Sequence, residues 1–376
     1  ALVVTIVVLL ILAGVSINLV LGNNGIIAKA KEAETKSAEA SQNDLKGMNG
    51  LVSEMEGALA GNGSTGSGSG NGNTGSGNNF VTKNTEVTYP DGKVWIPEGF
   101  KVADDSASTV QGGVVIEDKD RNQFVWVPVA TLADYKRTAY STNVATEETD
   151  TATNSIKINY SSSKNSEYFT EALPEDEKTS VERYKGFYIG RYEAGDKENT
   201  EAKTLRSSND VTKTVTIKAN QAPYNYVTRT QAISLAEGFA TKQGYKAKTK
   251  LVSSYAWDTT IAFLQKVNSD YGSSSEEGNY KDTTFSYTDI TGARQTKEKS
   301  SYVLVPTGQT TPVCNIYDMG GNVFEWTTES CSNTDYPYAR RGGFYYYIFA
   351  NIPAGFRDDG SDDADDGDGF RLTLFM

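Results

Sequence analysis

The sequence predicts an α+β chain in three zones: a long N-terminal α-helix over residues 1–60, a flexible linker over 61–79, and an irregular mixed head over 80–376. Three observations predict it. Residues 1–28 carry no charged side chain, and residues 61–79 are almost wholly Gly, Ser, Asn and Thr. Beyond Phe80, short strand-like runs alternate with turn signals and two helical stretches.

The first zone divides in two. From Ala1 to Leu21 only Thr5, Ser16 and Asn18 interrupt an apolar run, which as a helix spans roughly 30 Å, the thickness of a bilayer core. The flanks are not those of an ordinary anchor, because the first cation is Lys29 and the first aromatic is Phe80. The run therefore reads as a helix that packs against copies of itself; the alternative is a single-pass anchor with a stalk. Beyond it, Lys29, Lys31, Glu32, Glu34 and Lys36 mix signs among alanines, as on a solvated helix face. Leu45, Met48, Val52, Met55 and Leu59 then repeat at 3-4-3-4 spacing, a packing seam. Gly22, Asn23, Asn24 and Gly25 predict a kink between the halves.

Residues 61–79 cannot offset their ordering entropy by burial, so they read as a tether with a reach of about 25 Å on random-coil scaling. In the head, strands are expected at Lys93–Pro97, Gly113–Ile116, Phe124–Pro128 and Gly186–Gly190. Helices are expected over Thr230–Thr241, with Ala232, Leu235, Ala236 and Phe239 on one face, and over Tyr255–Asn268, with Ile261, Leu264 and Val267 behind Trp257. The polar stretches Ser141–Asn165 and Ser269–Ser300 read as surface insertions.

Composition excludes several functions. The formal net charge of -12 disfavours nucleic acid and anionic lipid as partners. The absence of histidine removes a Ser/His/Asp triad, a His-ligated zinc and an imidazole base. Cys314 and Cys331 suffice for one disulfide in an oxidising compartment, with a reactive dithiol as the alternative.

Two resemblances add to this. Ala1 to Val15, with Leu12-Ala13-Gly14 in register, resembles the N-terminal helix of type IV prepilins. That register puts Ala1 where most pilins carry a glutamate and implies that a few residues precede it. The resemblance implies membrane insertion before assembly, then a homo-oligomeric filament at the extracellular cell surface, a fimbrium. The second rests on Gly320-Gly321-Asn322-Val323-Phe324-Glu325-Trp326, Arg341-Gly342-Gly343, Gly355-Phe356-Arg357, Gly369-Phe370-Arg371 and Gly186 to Glu193. This set resembles the sulfatase-modifying factor (formylglycine-generating enzyme) family of the C-type-lectin-like fold. The family's Arg-Leu-Pro-Thr-Glu helix motif is absent; Thr249 to Ser254 stands near its place. The resemblance implies a calcium ion held at Asn322, the Val323 carbonyl and Glu325. The alternative there is a satisfied Asn/Glu hydrogen-bond network without metal. It also implies a thiol pair shortly after Arg341-Gly342-Gly343, but Phe344 to Asn351 holds no cysteine. Fold without activity is therefore expected.

Between the brackets Gly343 and Arg371 lies a block of aromatics and then a run of aspartates. An EF-hand register starting at Asp362 fails, because it puts Ala364 third and Thr373 twelfth. A solvated acidic turn beside core aromatics explains each half separately. A diversified binding surface explains both. The stretch from Asp358 to Asp368 has seven aspartates and no glutamate, although the whole chain uses the two equally. Its residue types all arise from an asparagine codon by changes at adenine, and Glu, Lys, Gln, Met and Trp, which cannot, do not occur from Phe344 to Phe370. This resembles the variable region of proteins diversified by retroelements. The expected ligand-binding residues are Phe344, Tyr345, Tyr346, Tyr347, Ile348, Phe349, Asn351, Asp358, Asp359, Ser361, Asp362, Asp363, Asp365, Asp366 and Asp368. The expectation is an adhesin or receptor head for a protein or glycan ligand. A surface-tethered oxidase using Cys314 and Cys331, or a purely structural pilin, are the alternatives.

Overall fold

The strand-like runs build most of the head, which the computed structural model describes over residues 79–273 and 277–376. The helix expected over 1–60 and the linker, apart from Asn79, lie outside the described residues. The head is mostly β-structure with few helices. Among the described residues no helix is long and apolar enough to cross a membrane.

A hairpin of β1 (Thr85–Tyr89) and β2 (Gly92–Ile96) turns at Pro90-Asp91. β3 (Lys101–Val102), β4 (Val115–Glu117) and β5 (Gln123–Pro128) follow, and β5 is buried from Gln123 to Val127. The predicted insertion at 141–165 is instead a strand pair, β6 (Ala145–Asp150) and β7 (Ser155–Tyr160), joined by β8 (Glu167–Thr170). Its Ala145, Ile156 and Ile158 alternate inward among polar neighbours, a period that the polar composition hid. Helix α1 (Glu175–Tyr184), which the sequence reading missed, leads into β9 (Gly186–Gly190). A small sheet joins β10 (Gly195–Asp196), β11 (Val215–Thr216) and β12 (Ala222–Pro223), with helix α2 (Lys197–Ala202) between its first two strands.

Helix α3 (Arg229–Gln243) starts on a Thr228/Gln231 capping box and buries Ala232, Leu235, Ala236 and Phe239, the expected face. After β13 (Lys248–Leu251) comes helix α4 (Ser254–Leu264), which ends four residues earlier than expected. It ends at Leu264, so Val267 is 62% exposed instead of packed. Ser254 through Ile261 are all buried, and the helix runs through the core. The 269–300 stretch carries the hairpin β14 (Phe285–Thr288) and β15 (Arg294–Lys297).

The remaining strands are β16 (Phe324–Cys331), β17 (Tyr338–Arg341), β18 (Asp358–Gly360), β19 (Asp368–Phe370) and β20 (Leu372–Phe375). One sheet runs β13-β20-β9-β5-β4-β3; the other runs β18-β17-β16-β8-β7-β6 with β19 parallel to β16. That topology positions the segment between the brackets. It leaves from β17, which pairs antiparallel with β16 (Glu325 opposite Arg341), and returns on β19, which pairs with the same strand (Glu325 opposite Gly369). Both its ends are pinned to one buried strand.

Candidate ligand-binding site

The bracket motifs form a buried ionic frame. Arg357 reaches Glu147 at 2.7 Å and Glu329 at 3.0 Å and also pairs with Asp258. Arg341 holds Asp258 from the other side and donates to the Gly355 carbonyl at 2.7 Å. Arg137 adds a contact to Glu329 at 3.2 Å. Burial opposes the Glu329 charge, yet Arg357, Arg341 and Arg137 together hold its carboxyl below the usual range. Arg371 clamps Glu325 at 2.7–3.1 Å through two nitrogens and donates to the Gly190 and Tyr317 carbonyls. Trp326, fully buried, donates from its indole nitrogen to the Val227 carbonyl at 2.9 Å.

The Gly320-Gly321-Asn322 turn sits against this frame. Gly321 has φ +69, and a Cβ there would lie 2.2 Å from the Asn279 carbonyl oxygen, so only glycine fits. The Asn322 amide oxygen accepts from Asn279 Nδ2 at 2.9 Å and from the Val305 N–H at 3.1 Å. Its amide nitrogen donates to Glu193 and to the Val305 carbonyl. The expected calcium set does not fit this geometry. The Asn322 oxygen already has two donors, and the Glu325 carboxylate faces a guanidinium instead of open space. Among the described residues no cluster of acidic or thiol side chains is arranged to hold a metal ion.

Three buried acids, Glu193, Asp318 and Glu325, face the single cation Arg371 here. Burial, then the neighbouring Asp318 and Glu325, push the Glu193 carboxyl well above its usual range, and its Oε2 has no hydrogen-bond partner. Burial, opposed by Arg371, pushes Asp318 up to about 6. The folded head thus holds protons that the unfolded chain releases, and its stability falls as pH rises from the ordinary carboxylate range through 6. Glu193→Gln, which keeps the acceptor for Asn322, is expected to gain melting temperature over the parent progressively from pH 4 to pH 8. Parallel melting curves across that range would show that Glu193 is not the group holding the proton.

Against this frame stand the expected ligand-binding residues. Phe344 packs on Phe324 with ring centroids 5.1 Å apart, and Arg340 lies 4.4 Å over the far ring, clamped by Asp358 at 2.9 Å and Asp368 at 2.8 Å. Gly343 (φ +70), whose Cβ would meet the Ile352 carbonyl at 2.3 Å, turns the chain outward. Tyr346 and Tyr347 then emerge 52% and 39% exposed, and Tyr346 stacks on Tyr302 at 4.3 Å. Tyr302 and Lys281, which lies 5.1 Å over its ring, were missed by the sequence reading. They come from the stretch around 269–300, whose polar composition gave no signal of contact with residues some 45–65 positions away.

The aromatic turn and the acidic loop meet. Tyr345 donates to Asp366 at 2.8 Å, and Gly367 lies against the Phe344 ring. The Asp365 and Asp366 carboxyls share a hydrogen bond, which holds Asp366 up and Asp365 down. Asp363 accepts from Ser361 at 2.6 Å, and Asp362 accepts from Thr230 N and Oγ1 at the start of α3. Ile348, Phe349 and Asn351 are half-buried at the base of the turn. Three expected residues face inward instead. Asp358 and the buried Asp368 serve Arg340, and Asp359 pairs with Lys164 at 2.8 Å while accepting from Asn333. Arg340, adjacent to the Arg341-Gly342-Gly343 motif, draws in Asp358 and Asp368, and Lys164 draws in Asp359.

The expected disulfide is not formed. Both thiols are free and buried: Cys314 in the cluster around Trp257, Cys331 in the smaller cluster around Phe169 and Phe356. Burial pushes their thiols up to about 11 and about 12, so both are protonated at neutral pH.

No family model matches the sequence, and no curated protein matches it. Solved structures similar to it include CarF (15% identity, 67% of this chain and 98% of the other, TM-score 0.37). Two more are PvdO from Pseudomonas aeruginosa (16%, 70% and 98%, TM-score 0.38) and Treponema denticola variable protein 1 (15%, 68% and 96%, TM-score 0.33). At these identities and scores the likeness carries no argument about function.

Proposed function

We propose that this chain is a subunit of an extracellular type IV pilus-like filament, with a non-catalytic head that binds a protein or glycan ligand. The observation that carries the binding half is the junction of the aromatic turn with the acidic loop. Tyr346, Tyr347, Asp362, Asp363 and Asp365 are exposed on a support that is itself buried and ion-paired. Rigid tyrosines give large contact area at low entropy cost, and the flanking carboxylates give polar specificity. The C-type-lectin-like reading of the head rests on the bracket motifs, which build that support.

Protonated, separately buried thiols are poor nucleophiles, which disfavours the oxidase reading. The filament half rests on the uncharged run from Ala1 to Ala28 and its resemblance to prepilins. In this reading the helix inserts in the membrane, assembles with copies of itself, and leaves the head on its tether. Diversification concentrates change where it alters the ligand and spares the frame. Sequencing the same locus in sister isolates is expected to find substitutions concentrated in Phe344–Asp368, with Arg340, Arg341, Arg357 and Arg371 constant. Substitutions spread evenly over the head would sink the variable-surface reading.

A further inference from the structure

A second concavity shares no lining residue with the aromatic–acidic face. It encloses about 600 Å³ at one end of the six-stranded sheet, within the range of small-molecule sites. Asp104 and Asp105 follow β3, Glu117 ends β4, Gln123 opens β5, Tyr192 follows β9, and Lys218 to Asn220 follow β11.

The charges on its wall do not cancel. Lys101 engages Glu117 at 3.1 Å and Asp104 at 3.8 Å, and Arg191 engages Asp105 at 2.8 Å. Two cations thus serve the three acids of the wall, Lys101 being shared. Arg121 and Lys218, also on the wall, have no acid within ion-pair distance among the described residues. With Lys101 and Arg191 counted, four cations face three acids, and an excess cation in a chain of net charge -12 marks a place for an anion. Arg121 also sits at φ +65, a conformation that glycine or asparagine normally fills. The Asp118 carboxylate fixes that turn through the N–H groups of Asp120 and Asn122. Beneath, the buried Arg191 lies beside the packed rings of Tyr192 and Tyr317, at 5.6 and 5.5 Å from their centres, and its Nε has no hydrogen-bond partner.

We propose that this cavity binds an acidic monosaccharide. Its carboxylate lies between Arg121 and Lys218, and its hydroxyl groups donate to the exposed carboxylates of Asp104 and Asp105 and accept from the Asn220 amide. The same two aspartates disfavour a phosphate, which has charge but few protons to donate to them. Calorimetric titration of the full chain with D-glucuronate tests this, with glucose and inorganic phosphate as comparison ligands. Saturable glucuronate binding is expected, with glucose and phosphate each at least about tenfold weaker. The double variant R121Q/K218Q should lose at least about tenfold in glucuronate affinity. Arg121 is exposed and Lys218 partly exposed, and circular dichroism of this variant verifies the fold. No saturable glucuronate binding, phosphate binding as tight as glucuronate, or unchanged affinity in a folded R121Q/K218Q would each overturn the proposal. Tyr346→Ala should leave glucuronate binding unchanged; its loss there would overturn the separation of the two sites.

Discussion

Replacing Arg357 with alanine is expected to cost the head about 3–5 kcal/mol, a large share of the roughly 5–15 kcal/mol that holds a native protein folded. The Arg357 guanidinium touches Glu147, Asp258 and Glu329, and all four side chains are fully buried. It also donates to the Thr138 carbonyl at 2.9 Å and the Ser254 hydroxyl at 3.2 Å. With Arg341 and Arg137 present, three acids face three guanidinium groups, so the cluster is balanced. Alanine removes one cation and leaves an uncompensated carboxylate where water cannot reach it. Arg357→Lys should recover part of the loss, because an ammonium keeps the charge but cannot fork among three carboxylates. Urea unfolding of the full chain measures both variants. A loss under about 1 kcal/mol for the alanine variant would mean the frame does not hold the head together.

Legibility in the sequence followed local chemistry. The 3-4 spacing of Ala232, Leu235, Ala236 and Phe239 announced α3, because amphipathic burial is local. β5 and β9 were equally plain as short apolar runs between turn residues. The β6–β7 pair was not, since its only buried apolar side chains are Ala145, Ile156 and Ile158, and they sit beside the buried polar Glu147 and Ser155. Helix α4 misled at its end, because a helix through the core carries no polar face to mark where burial stops.

The candidate site was legible as a segment but not as a surface. Composition singled out Phe344 to Asp368 and could not tell which aspartates face inward. Asp358 and Asp368 turn to Arg340 only because β17, β18 and β19 bring them there, a long-range fact. The same applies to Tyr302, which reaches Tyr346 from outside the segment. The motif residues were legible as important, with their role open between a calcium ion and a metal-free hydrogen-bond network at Asn322 and Glu325; the frame sets Arg371 against Glu325.

The triple variant Y302A/Y346A/Y347A is expected to lose ligand binding by about 2 kcal/mol or more, roughly thirtyfold, with stability changed by less than about 1 kcal/mol. The three rings are among the most exposed aromatics of the head, so their removal opens no cavity in the core. Tyr346 also stacks 6.0 Å from Phe344, which stays in place on Phe324 and preserves the turn. The most direct test is to probe one protein and glycan array with the full chain and with this variant, after matched unfolding curves. The account predicts that ligands captured by the parent bind the variant at least roughly thirtyfold more weakly; equal capture by the two proteins would contradict it.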